Sequence, residues 1–128
     1  MNVEVSKLYN LKFEERTDYL YAYVSGDKAS LELSKQYWRK IAEECRRTKC
    51  NKVLIVEDIK ENVSTTEMYE FASELPTMGF VGIKIAFVDQ YIEQRELNEL
   101  GELVATNRGG HGKIFNTVEE AEQWLLSK

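Results

Sequence analysis

Residues 52–59 read KVLIVEDI. Four aliphatic side chains follow one another from Val53 to Val56, with no polar residue between them. A strand with one wet face alternates apolar and polar positions, whereas an unbroken run of this length marks a strand buried on both faces. Such strands belong to sheets covered by helices, and the flanks supply those helices. Upstream, Ser30 is an N-cap for a helix reaching about residue 48. Leu33, Tyr37, Ile41 and Cys45 recur every fourth position, with Ser34, Trp38 and Ala42 beside them, which makes a broad apolar stripe. Downstream, STTE at 64–67 matches a capping box opening a helix that carries Met68, Phe71, Ala72 and Leu75 and ends near Pro76 and Gly79.

The same pattern continues toward the C-terminus. VGIKIAFVD (81–89) is a second strand of the buried type, and 93–107 form a helix with Leu97, Leu100, Val104 and Ala105 inward. GKIFN (112–116) is a short strand, and Thr117 caps a last helix bearing Val118, Ala121, Trp124 and Leu125. Toward the N-terminus, KLYNLKFEER (7–16) and YLYAYVSG (19–26) are joined by the turn residues Thr17 and Asp18, which predicts an antiparallel hairpin. Tyr19, Tyr21 and Tyr23 fall on one face of the second strand; Leu20, Ala22 and Val24 fall on the other. The three tyrosines either cover a sheet beneath a helix or line a ligand site.

The order is β-β-α-β-α-β-α-β-α. Right-handed crossovers turn it into an α/β fold: one mixed, mostly parallel sheet with helices on both faces. Residues 1–128 form a single domain, with no repeat and no linker. No apolar run approaches the ~20 residues that span a bilayer, and the first residues lack a signal-peptide pattern, so a cytoplasmic protein without membrane insertion is expected. The net charge of −5 argues against nucleic acid as a partner. The basic cluster from Arg39 to Lys52 complements a helix C-terminus. Cys45 and Cys50 have neither CxxC nor zinc spacing, and read as free thiols with no metal.

This element order resembles that of the STAS domain, in its small stand-alone SpoIIAA-like form. YLYAYVSGD is similar to the family's second strand with its glycine, KVLIVEDI to the strand before the regulatory loop, and GKIFNTVEEAEQWL to the closing strand and helix. The resemblance spans roughly residues 5–127. It implies a non-catalytic regulatory domain of bacterial signalling, acting through a protein partner and controlled by phosphorylation at the start of the helix after that strand. The matching stretch here is Ser64-Thr65-Thr66-Glu67-Met68, where the family's anti-sigma-factor antagonists carry a motif like D-S-S-G-L. Thr65 and Thr66 occupy the serine positions, Ser64 replaces the Asp and Glu67 the Gly. Asp58, Asn62, Ser64, Thr65 and Thr66 are therefore the regulatory-loop candidates, although the capping box accounts for Ser64–Glu67 without regulation. Stand-alone members without that motif have been likened to lipid-binding SEC14-type domains. That comparison implies an alternative, the carriage of a small apolar or lipid-like ligand, with Tyr19, Tyr21, Tyr23 and Trp38 as pocket candidates. An exposed apolar patch around Met68 and Tyr69 would instead favour a protein partner or a homodimer.

Catalysis finds less support. Asp58 and Asp89 end successive parallel strands and would hold Mg²⁺ for phosphoryl transfer if their side chains met. No lysine follows the next strand to complete such a site. No G-x-S-x-G elbow presents a serine, no G-x-G-x-x-G binds a dinucleotide, and no cofactor is implied. NRGGHGK (107–113) has glycines and a lysine, but a helix enters it and a strand leaves it, the reverse of a phosphate-binding loop. Its glycines predict a left-handed helix stop at Gly109 or Gly110, with His111 exposed.

Overall fold

A computed structural model describes residues 8–127. The elements are β1 (Asn10–Arg16), β2 (Tyr19–Lys28), α1 (Leu31–Thr48), β3 (Lys52–Glu61), α2 (Thr65–Glu74), β4 (Lys84–Asp89), α3 (Arg95–Asn107), β5 (Gly112–Phe115) and α4 (Val118–Leu126), with single 3₁₀ turns at Leu75–Thr77 and Ile92–Gln94. The strands lie in the order β1-β2-β3-β4-β5, so each pairs with its neighbours in sequence. β1 runs antiparallel to β2 at one edge, and all other pairs are parallel. The expected β-β-α-β-α-β-α-β-α order and mixed sheet are present.

Because the strands advance steadily in one direction, right-handed crossovers put α1, α2 and α3 on the same face. The larger core lies there: Leu20, Ala22, Val24, Val53, Ile55, Ile85 and Phe87 meet Tyr37, Trp38, Ile41 and Phe71. Only α4 covers the other face, setting Ala121 and Leu125 against Tyr19, Leu54, Val56, Ala86 and Val88. Helices thus cover both faces, but unequally.

Local signals act where the chain carries them. Ser30 Oγ accepts from the Leu33 amide, and Ser64 and Glu67 form the full capping box. Thr117 accepts from the Glu120 amide to cap α4. At the end of α3, the Gly110 amide donates to Ala105 O (2.8 Å) and the Gly109 amide to Thr106 O (3.0 Å), with Gly109 at φ +90°. That is the left-handed stop its glycines predict.

Several boundaries differ from expectation; β2 and β3 run on to Lys28 and Glu61, and three elements start later than predicted. β1 starts at Asn10, since Leu8 and Tyr9 are not extended into the ladder, and Lys7 lies outside the described residues. β4 starts at Lys84 rather than Val81, because Gly82 takes φ +78° and turns the chain just before it. α3 starts at Arg95, after the 3₁₀ turn. Among the described residues no helix is long and apolar enough to cross a membrane.

Candidate functional site

Position 57 breaks the apolar pattern of β3. Alternation along the strand puts Glu57 on the same face as Val53, Ile55 and Ile59, beneath α1. The Glu57 side chain is 4% exposed, and an ionised carboxylate in such a place needs a partner. One turn after Leu33 on the apolar stripe of α1, Tyr37 supplies a donor: its hydroxyl gives a 2.7 Å hydrogen bond to Glu57 Oε2. Burial pushes the Glu57 carboxyl up to about 7, the bond from Tyr37 works against that, and the nearby Asp89 adds to it. Burial, and then Glu57 itself, drive the Tyr37 phenol well above its ordinary value.

Asp89 is the partner of Glu57 in the β3–β4 register. Its Oδ1 accepts from the Tyr91 amide (2.9 Å) and its Oδ2 from Asn98 Nδ2 (2.8 Å). Desolvation raises its pKa in spite of both bonds. From Asn98 the polar chain runs on to Asn62, whose Nδ2 donates to Gln94 Oε1 at 3.3 Å and to Asn98 Oδ1 at 3.5 Å. Gln94 Nε2 donates to the carbonyls of Lys60 (2.7 Å) and Ile59 (3.3 Å), closing the network onto the end of β3.

This network forms one pole of a cavity of about 370 Å³ between the sheet and α1, α2 and α3. Ser34, Tyr37, Glu57, Asn62 and Asn98 line its polar end. Its walls are apolar: Trp38 lies with its ring centroid 5.4 Å from that of Phe71, 5.7 Å from Phe80 and 5.9 Å from Phe87. α2 and α3 close the outer side, packed so tightly that Met68 Sδ lies 2.8 Å from where a Cβ on Gly101 would stand. The far end is formed by Val81, Gly82, Arg108 and Gly109, all exposed, and this is the mouth. The volume falls within the range of about 300–1,000 Å³ common to small-molecule sites.

The sequence candidates separate. Asn62 and Trp38 line the cavity. Tyr19, Tyr21 and Tyr23 do not, because the period of the strand turns them to the α4 face. There Tyr19 donates to Glu122 Oε2 (2.6 Å) beneath α4, the Arg16 guanidinium lies 4.0 Å from the centre of the Tyr21 ring, and Tyr23 donates to Asp58 Oδ2 (2.6 Å). The tyrosine pocket is thus corrected to a tyrosine-covered sheet face. Asp58 shares that face, whereas Asp89 lies on the opposite one, so the two carboxylates do not converge on a common ion. Ser64 is engaged in the capping box, and Thr65 and Thr66 are exposed. Met68 is buried against α3 and Tyr69 is 51% exposed. The expectation for NRGGHGK is extended: the stretch ends α3, and its Arg108–Lys113 portion also rims the mouth. Glu57 went unselected although its phase was readable, as a lone carboxylate among inward-facing aliphatic positions.

No protein-family model matches the chain, and comparison with curated proteins finds no match. Among solved structures, it is similar to an uncharacterised protein of the DUF3478 family with a SpoIIAA-like fold from Shewanella loihica PV-4. The TM-score is 0.55 at 18% identity, over 91% of this chain and 93% of that one. The chain therefore has a SpoIIAA-like fold, as its element order implied.

Proposed function

We propose that this SpoIIAA-like domain acts by binding a small, largely apolar molecule in the cavity under α2 and α3, and that it has no catalytic role. The observation that carries this reading is the coexistence of an apolar space of about 370 Å³ with a convergent polar pole at its inner end. A concave, largely apolar space of that size with a few converging polar groups has the character of a small-molecule site. The arrangement supports the lipid-like-ligand alternative over an exposed patch at Met68, since that side chain is interior.

A polarity-sensitive anilinonaphthalene dye tests the reading. The protein should bind one equivalent with a blue-shifted emission, and Ala105→Phe, which fills the cavity from α3, should abolish binding without unfolding the domain. Absence of dye binding, or binding indifferent to Ala105→Phe, would overturn it. The regulatory reading implied by the STAS resemblance rests on Thr65 and Thr66, exposed at the start of the helix that walls the cavity. Its test is the double substitution Thr65→Ala, Thr66→Ala, which should abolish any partner interaction that depends on phosphorylation there.

A further inference from the structure

Glu57 is a buried carboxylate at the inner end of the cavity, and no cation among the described residues is paired with it. Among the described residues the ion pairs lie elsewhere, on the surface, and neither Glu57 nor Asp89 takes part in one. The groups facing it are few. α1 contributes Ser34 and Tyr37, β4 contributes Asp89, the segment after β3 contributes Asn62, and α3 contributes Asn98. α2 offers only apolar side chains, Met68 and Phe71. The basic side chains that line the cavity, Arg108, His111 and Lys113, are exposed and belong to the rim of its mouth.

Of the donors at this pole, those of Tyr37, Asn62 and Asn98 are already engaged. The Tyr37 hydroxyl gives its proton to Glu57 Oε2, Asn62 Nδ2 is directed at Gln94 and Asn98, and Asn98 Nδ2 serves Asp89. The bond from Tyr37 is the one side-chain hydrogen bond that the Glu57 carboxyl receives among the described residues. Its acceptor capacity is therefore far from filled, since a carboxylate accepts at about four lone-pair sites. A ligand reaching this end meets an acceptor-rich, negative pole inside an apolar enclosure. Charges buried in such a place are ordinarily paired.

We infer that the occupant of the cavity is an apolar molecule with a cationic, hydrogen-bond-donating head, a primary ammonium group, which pairs with Glu57 while its hydrocarbon portion lies along Trp38 and Phe71 toward the mouth. This rests on the cavity being a binding site and adds the chemistry of the head. A fatty-acid carboxylate is disfavoured at the pole because it would bring a third negative charge beside Glu57 and Asp89. A neutral alcohol is intermediate, donating one hydrogen bond with no charge.

The experiment compares decylamine, decanol and decanoate by isothermal titration calorimetry at pH 8, on the wild-type protein, Glu57→Gln and Ala105→Phe. Decylamine should bind at least about tenfold more tightly than decanoate, as one charge-assisted hydrogen bond in a dry site provides. Glu57→Gln should erase that preference, which separates the buried carboxyl from the general negative charge of the protein. Ala105→Phe should abolish binding of all three. Equal affinities, or an amine preference that survives Glu57→Gln, would overturn the head assignment and leave the cavity reading standing. Failure of all three to bind the wild type would overturn both. A second readout does not depend on any variant: the Glu57 side-chain carboxyl resonance should titrate at lower pH in the decylamine complex than in the decanol complex. Titration at the same pH in both would overturn the assignment.

Discussion

Glu57 shows how much one side chain's phase matters. One residue along β3, Asp58 reaches the opposite face, bonds to the exposed-side Tyr23 and pushes that phenol up to about 12. The two neighbouring carboxylates therefore enter different chemistries. With its carboxyl raised from 4.5 to about 7, Glu57 binds its proton more tightly in the folded than in the unfolded chain. Its contribution to stability is complete below about pH 4.5 and is lost as pH rises through 7. The loss is on the order of 3 kcal/mol. Urea unfolding at pH 5 and pH 8 should show the wild type weakening by that order relative to Glu57→Gln, and parallel pH profiles for the two proteins would contradict the burial described. Lys49 is a second single-residue case, held at φ +59° just beyond α1. A left-handed conformation costs an ordinary residue about 1–2 kcal/mol, part of which glycine returns in unfolded-state entropy. Lys49→Gly should therefore raise the unfolding free energy by about 0.5–1 kcal/mol in chemical denaturation.

The elements differ in what holds them. α2 is anchored at its start by the Ser64–Glu67 capping box and along its length by α3. Ser64→Ala should lower stability by about 1 kcal/mol, as measured by thermal unfolding, because the Glu67 amide loses its acceptor, Ser64 Oγ. At this scale the sequence was most readable. Periodicity and caps placed every described helix and strand, because KVLIVEDI, the stripe of α1 and STTE each state their own local geometry. Boundaries were lost where tertiary pairing decides them: β3 runs on to Glu61 because Lys28 of β2 pairs with it. The site was legible only in part. Asn62 and Trp38 were recognisable from strand-end position and the helical stripe, and Glu57 from its phase. The cavity itself was not, since it depends on how α2 and α3 meet, at the Met68–Gly101 contact between residues 33 positions apart.

Across the whole molecule, stability is distributed unevenly. β3 is flanked by β2 and β4 and covered on both faces, with Val53, Leu54, Ile55 and Val56 fully buried. α2 lies at the periphery, packed on Trp38 and α3 and lining the cavity on its inner side. Amide hydrogen exchange should be slowest in β3 and faster in α2, and a ligand in the cavity should slow α2 selectively. Equal protection of the two elements in the unliganded protein would contradict this picture. The strand order β1-β2-β3-β4-β5 has one more consequence. Among the described residues no strand is inserted between two that precede it in the chain, so each crossover delivers its strand to a free edge. The order of synthesis and the spatial order of the strands coincide. A growing chain can extend the sheet one unit at a time as it leaves the ribosome, without waiting for its C-terminus and without undoing a pairing already made.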